Sequence, residues 1–183
     1  MTALLLIDIQ QGLQELDFYG GERNNPEAEA NCGKILRAFR AKGLPIFHVQ
    51  HCSINPESPL HPSKAGNNFH PLVQPLRDEP IFKKSVNSAF IGTDLESQLK
   101  AQNISDLVVV GLTTEHCVST STRMASNLGF RTTVISDATA AFNKIGIDGE
   151  KYNADLTHKM ALANLKDEFA SIQNTRTLLQ ELG

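Results

Sequence analysis

The chain has 183 residues and a mass of 20.0 kDa, enough to bury one substantial core but short for two, so a single domain over residues 1–183 is expected. With 40% hydrophobic and 20% charged residues, the composition is that of a soluble globular protein and excludes disordered, fibrous and membrane classes. The net charge of -3 arises from dispersed Lys and Arg with no basic stripe, which argues against nucleic-acid and membrane partners.

In chain order, Ala3 to Asp8 is apolar throughout up to its closing carboxylate, as expected of a central strand buried on both faces. No basic residue precedes this run and Asp8 interrupts it, so it does not read as a signal peptide, and no segment approaches transmembrane length. Asn25-Pro26 opens a helix whose Ile35, Leu36 and Phe39 share one face before Gly43 ends it. A second strand is predicted from Pro45 to Gln50. Ser53 to Pro80 is rich in Pro, Asn, Ser and His and reads as a long surface excursion, a kind of segment that often covers active sites. Helices are predicted over Gly92 to Gln102, Thr114 to Leu128, Thr157 to Leu165 and Thr175 to Leu182, with strands at Asp106 to Gly111, Arg131 to Ser136 and Phe169 to Gln173.

Short apolar runs alternating with helical periods give a doubly wound α/β fold, a parallel sheet covered by helices on both faces. The two all-apolar runs, Leu4-Leu5-Leu6-Ile7 and Val108-Val109-Val110, are read as sheet neighbours. Ligands of such sheets bind beyond the carboxyl ends of the strands where crossover direction reverses, so the residues just after strands carry the functional information.

Asp8 is one of these. Its carboxylate, partly desolvated at the sheet edge, suits a general base, and the same position suits an Asp that caps a loop or the next helix. Cys117 is another, placed where a buried strand passes through a tight turn into a helix. Unpaired NH groups and the positive dipole end there favour thiolate over thiol and can receive an oxyanion, whereas a lone cysteine also commonly serves as a small inert core residue. Cys32, within a helical pattern, and Cys52, in a His-rich loop, read as structural, Cys52 also being placed to line a pocket. Three widely spaced cysteines with no C-x-x-C pair indicate neither a disulfide framework nor a zinc knuckle and suit the reducing cytoplasm.

Lys83 and Lys84 follow Ile81-Phe82. A lysine pair is ordinarily surface, but one turned inward would pair with Asp8. His48 and His51 form an H-x-x-H, yet on an extended segment they face opposite ways and no third ligand is evident, so neither a metal nor a cofactor is expected. His116 adjoins Cys117, but helix neighbours project about 100° apart, which makes Asp8 the preferred base.

Three separated segments together resemble the isochorismatase-like cysteine hydrolases, the superfamily that includes nicotinamidases and carbamoylsarcosine amidohydrolases. They are Leu4-Leu5-Leu6-Ile7-Asp8-Ile9-Gln10; Lys84 with Ser88-Ala89-Phe90 and Gly92-Thr93-Asp94-Leu95; and Gly111-Leu112-Thr113-Thr114-Glu115-His116-Cys117-Val118 with Thr120, Gly129 and Asp137-Ala138. The family lysine lies six residues before the phenylalanine, which selects Lys84 over Lys83. The resemblance implies a three-layer α/β/α sandwich with a six-stranded, mainly parallel sheet and a cis peptide between Gly111 and Thr113. It also implies a catalytic triad of Asp8, Lys84 and Cys117, oxyanion donors at Thr113 and Cys117, and substrate contacts at Gln10, Phe90 and His116. Gly12-Leu13 stands where family members often carry Asp or Asn followed by Phe. Gln50, Cys52 and His61 do not reproduce the nicotinamidase metal set.

The implied function is thioester-mediated hydrolysis of a C–N bond in a small-molecule substrate. Alternatives are vinyl-ether hydrolysis, which needs no nucleophilic cysteine, and a noncatalytic small-molecule binding module, for which no G-x-G-x-x-G or P-loop is present. The resemblance further implies self-association, with Ser53 to Pro80 covering a neighbouring subunit's site.

Overall fold

The computed structural model describes residues 1–183. In chain order the elements are β1 (Thr2–Ile7), α1 (Ala28–Ala41), β2 (Ile46–His51), β3 (Ile81–Lys84), α2 (Leu95–Ala101), β4 (Asp106–Leu112), α3 (Ser119–Asn127), β5 (Arg131–Ala140), β6 (Lys144–Ile145), β7 (Lys151–Tyr152), α4 (Ala154–Ala163), β8 (Ser171–Gln173) and α5 (Thr175–Leu182). Six strands form one parallel sheet in the order β3-β2-β1-β4-β5-β8, while β6 and β7 make a small antiparallel hairpin.

Side chains alternate across the sheet and fill two cores, giving the three-layer α/β/α sandwich. Leu4 and Leu6 of β1 and Val108 and Val110 of β4 face Ile35, Leu36 and Phe39 of α1 and Leu178 of α5. Leu5, Ile7 and Val109 point the other way, toward Leu95 and Leu99 of α2 and Ala125 of α3. Burial on both faces is why β1 and β4 read as unbroken apolar runs, and they are indeed neighbours, with Leu4 opposite Val108 and Ile7 opposite Gly111. No helix is long and apolar enough to cross a membrane.

The five strands expected from the sequence are present with shifted ends. The sixth, β3, is missing from that reading because it is a four-residue edge strand with only Phe82 and Lys84 buried. Strand β5 runs to Ala140, beyond the predicted Ser136, after an irregularity that sets Val134 opposite Val109 and Thr139 opposite Gly111. Asparagines at the start of α1 accommodate the bulge: Asn25 Nδ2 donates to the carbonyls of Ser136 (2.9 Å) and Thr139 (2.7 Å), and Asn31 Nδ2 to that of Asp137 (2.8 Å). The helix expected from Thr114 begins with a wide turn in which Val118 NH donates to Thr113 O at 3.2 Å, and regular α3 starts at Ser119.

The Ser53–Pro80 excursion packs on its own chain around Asn67. The Asn67 amide donates to the carbonyls of His51 (2.8 Å) and Leu60 (2.7 Å), and its carbonyl accepts from Gln10 Nε2 (2.7 Å) and Gln50 Nε2 (2.9 Å). Gly12 and Gly66 make this seating possible. A Cβ on Gly12 would lie 2.8 Å from Pro59 Cβ and 3.0 Å from Gly66 O. The Gly12 that departs from the family pattern is therefore where the excursion docks.

Candidate active site

The chain crosses from β1 to β2 on one side of the sheet and later places β4 on the other side of β1, so crossover direction reverses between β1 and β4. Their carboxyl ends emerge together and very close. Gly111 has φ 123°, and a Cβ there would stand 2.0 Å from Ile7 O, so no other residue fits. Asp8 has φ 49°, a left-handed conformation that Asp tolerates better than most residues, and this turns the chain off the strand. The peptide between Leu112 and Thr113 is cis, as the resemblance implied.

Lys84 ends β3, paired in register with His51 at the end of β2, so the two side chains share a face of the sheet. Strand alternation buries Phe82 and Lys84 and exposes Ile81 and Lys83, which independently selects Lys84. The Lys84 ammonium has three acceptors for its three protons: Asp8 Oδ2 at 2.6 Å, His51 Nδ1 at 3.1 Å and Cys117 Sγ at 3.3 Å. The side chains of Lys84 and Asp8 are 0% and 2% exposed. The second carboxylate oxygen, Asp8 Oδ1, is buried with no hydrogen-bond partner.

Electrostatics follow from this geometry. Burial opposes the charge on Lys84, but Asp8 and the Cys117 sulfur outweigh it and hold the ammonium above its ordinary pKa. Burial and then the Asp8 carboxylate push the Cys117 thiol well up, against which Lys84 acts only in part. The positive end of the turn, expected to favour thiolate, is thus opposed at Cys117 by burial and by the Asp8 carboxylate. Burial lowers His51, with Asp8 and Lys84 pulling in opposite directions, so its imidazole is neutral near pH 7. Donor atoms of Asp8, His51 and Cys117 lie within 4.8 Å of one another, a group with the donor types of a metal site whose positive charge is supplied by Lys84.

Above Asp8 and Cys117 lies a cleft of about 420 Å³. Leu13, Phe18, Tyr19, Leu60 and Phe142 form its apolar wall, with Tyr19 stacked on Phe142 at a ring separation of 5.0 Å. The mouth carries Glu115, His116 and Lys144, with Lys144 Nζ 3.1 Å from Glu115 Oε1 and 3.2 Å from His116 Nε2. Asn87 lines the cleft 3.9 Å from Cys117 Sγ.

Asp8, Lys84 and Cys117 converge, and Thr113 lines the cleft beside them. His116 also lines it, at the exposed mouth beside Lys144. Two expected substrate contacts are corrected. Gln10 is 1% exposed and does not line the cleft: its amide clamps the His51 peptide, Oε1 accepting from His51 NH at 2.8 Å and Nε2 donating to His51 O at 3.1 Å. Phe90 packs into the core against Phe130, ring centroids 6.1 Å apart. Ser58 and Leu60 of the excursion line this chain's own cleft.

His48 and His51 do point apart: His48 Nε2 lies 2.8 Å from Glu79 Oε2, while His51 meets Lys84. Of the residues that stand where nicotinamidases bind metal, Gln50 is engaged with Asn67 and His61 with Ser63. Sequence reasoning assigns no role in catalysis to His51 and none at all to Tyr19, Asn87, Glu115, Phe142 and Lys144, all of which line the cleft. For His51 the usable signal was strand register with the lysine; the others come from connections whose path no periodicity fixes.

A family model described as the Isochorismatase domain matches residues 2–177. The isochorismatase family protein YrdC of Bacillus subtilis (strain 168) is 46% identical over 98% of this chain and 95% of its own length. The structure of an isochorismatase-family chain from Chromobacterium violaceum ATCC 12472 matches with a TM-score of 0.95 at 41% identity, covering 100% of this chain and 93% of that one. A streptothricin hydrolase from Streptomyces noursei is 30% identical over 78% of this chain and 51% of the hydrolase.

Proposed function

The chain belongs to the isochorismatase family of hydrolases, and from that footing we propose that it cleaves a C–N bond, amide, lactam or ureido, of a small molecule through a thioester on Cys117. The observation that carries this reading is the free Asp8 Oδ1: a buried carboxylate oxygen without a donor, in a group that also holds the Cys117 thiol, the His51 imidazole and the Lys84 ammonium. A carboxylate held that way is ready to accept a proton.

As the Cys117 sulfur bonds to the substrate carbonyl carbon, its proton passes to Asp8, and the carbonyl electron pair becomes an oxyanion facing the backbone NH groups of Thr113 and Cys117. Lys84 keeps the charge of the site balanced while the carboxylate is neutralised. Collapse of the tetrahedral species breaks the C–N bond, and Asp8 returns the proton to the departing nitrogen. Water then attacks the thioester, giving one proton to Asp8, and the carbon–sulfur bond breaks to release the acid and restore the thiol. Burial and the Asp8 carboxylate both disfavour a free thiolate, which supports transfer of the proton as the carbon–sulfur bond forms.

A cleft of about 420 Å³ with an apolar wall and a charged mouth suits a small molecule with an apolar body and polar ends. The relative named as a streptothricin hydrolase supports including streptothricin in the screen. The test is ammonia or amine release from a panel of amides, lactams and ureas by the wild type and by Cys117→Ala. Loss of turnover on the order of a thousandfold or more is expected in the variant. Retained turnover by Cys117→Ala overturns the covalent mechanism, and no release by the wild type from any of the panel favours acid-driven vinyl-ether hydrolysis instead.

A further inference from the structure

We propose that His51 is a positioning residue for this reaction, its Nδ1 accepting one Lys84 ammonium proton so that another is aimed at the Cys117 sulfur. The inference rests on the reading of Cys117 as nucleophile and adds a residue to it.

The three protons of a lysine ammonium turn together about the last carbon–nitrogen bond, so each further acceptor deepens the preferred rotational setting, and a proton without one stays buried and unpartnered. An unsatisfied buried donor is costly, so a third acceptor both removes that cost and fixes the rotor. The three partners of Lys84 Nζ are Asp8 Oδ2, His51 Nδ1 and Cys117 Sγ, at 2.6, 3.1 and 3.3 Å. With Asp8 and His51 engaged, the remaining proton has one direction left, toward sulfur, where it can stabilise charge as the proton leaves the thiol.

The surroundings hold the imidazole for this purpose. Parallel pairing of β2 with β3 sets His51 beside Lys84. Gln10 grips both the NH and the carbonyl of His51, and Asn67 Nδ2 donates to the same carbonyl at 2.8 Å. That grip accounts for a buried glutamine near the first strand end that does not touch the cleft. Acceptance at Nδ1 requires the neutral ring with its proton on Nε2, and burial favours the neutral form.

The test compares His51→Asn, whose side-chain carbonyl keeps an acceptor near the Nδ1 position, with His51→Leu, which keeps bulk and has no acceptor. Cys117 alkylation by iodoacetamide is followed by peptide mapping from pH 6 to 10, with melting temperature measured alongside. The expected result is that His51→Leu slows alkylation at pH 8 about tenfold and moves its pH dependence about one unit upward, whereas His51→Asn stays within about threefold of wild type. Should His51→Leu not fold, His51→Ala takes its place in the comparison. Wild-type alkylation in the variant lacking an acceptor, or equal slowing in both variants, overturns the proposal. Failure of the covalent mechanism itself shows separately, as undiminished turnover by Cys117→Ala.

Discussion

Asp8 is bound to Lys84 through one carboxylate oxygen only: Oδ2 accepts from Nζ at 2.6 Å, and Oδ1, also buried, accepts from nothing. The ion pair is sealed from water, so removing one partner strands a buried charge, at a cost of about 3–5 kcal/mol. Lys84→Met is therefore expected to lose that much stability in urea denaturation and to lose turnover. Asp8→Asn combined with Lys84→Met recovers most of the stability and none of the turnover. Equal stability of Lys84→Met and wild type contradicts a desolvated pair.

Asp8 also raises the thiol it is proposed to deprotonate, so activity and thiol reactivity part company when it is replaced. In Asp8→Asn the opposing carboxylate is gone while Lys84 remains beside sulfur, and Cys117 alkylation at pH 8 is expected to speed up severalfold even as turnover disappears. In the wild type, alkylation rises with pH through about 9 without a plateau near neutrality. Slower alkylation of Asp8→Asn argues against the charge balance described.

Gly12 carries the docked excursion, and a side chain there meets Pro59 and Gly66. Gly12→Asp, which restores a residue type common in the family, is expected to raise KM with a smaller change in kcat, and to make the backbone around Ser58 and Leu60 more open to limited proteolysis. An unchanged KM with an unchanged cleavage pattern shows that the contact is dispensable.

Glu79 ties the start of β3 to α1 and β2. Burial alone would raise its carboxyl, but Arg40 at 2.7 and 2.8 Å, the Leu76 NH and His48 outweigh it and hold the pKa at about 2. A folded value depressed below the unfolded one, about 4.3, contributes stability that is present above pH 4.3 and is lost as pH falls toward 2. Denaturation curves at pH 7 and pH 3 should show Glu79→Gln less stable than wild type at pH 7, with the gap narrowing at pH 3. A gap of constant size rules out the charged form as its source.

Much of this architecture is legible in the sequence because burial on both faces writes a plain signature: Leu4 to Ile7 and Val108 to Val110 could be placed side by side before any coordinates. Asp8 and Cys117 become candidates by the same logic, since each sits just past such a strand, but the family resemblance was needed to choose catalysis over capping or core packing. Lys84 needed the spacing of a family motif, although the alternation of Ile81, Phe82, Lys83 and Lys84 across an edge strand encodes the same choice. Gln10 and Phe90 were misread because a motif records that a residue type recurs and not which way it faces; one grips a backbone and the other fills a core. The cleft walls escaped because Tyr19, Leu60 and Lys144 reach the site through connections or a two-residue strand, where contacts distant in sequence decide the path.

The docking of the Ser53–Pro80 excursion on Gly12 divides the protein into two parts. The reactive floor is anchored in strand ends, where Gly111 meets Ile7 too closely to allow substitution. The walls hang from peripheral segments attached through a few polar hubs such as Asn67. Changes in the walls can therefore reshape the cleft without moving the strand ends from which Asp8 and Lys84 project.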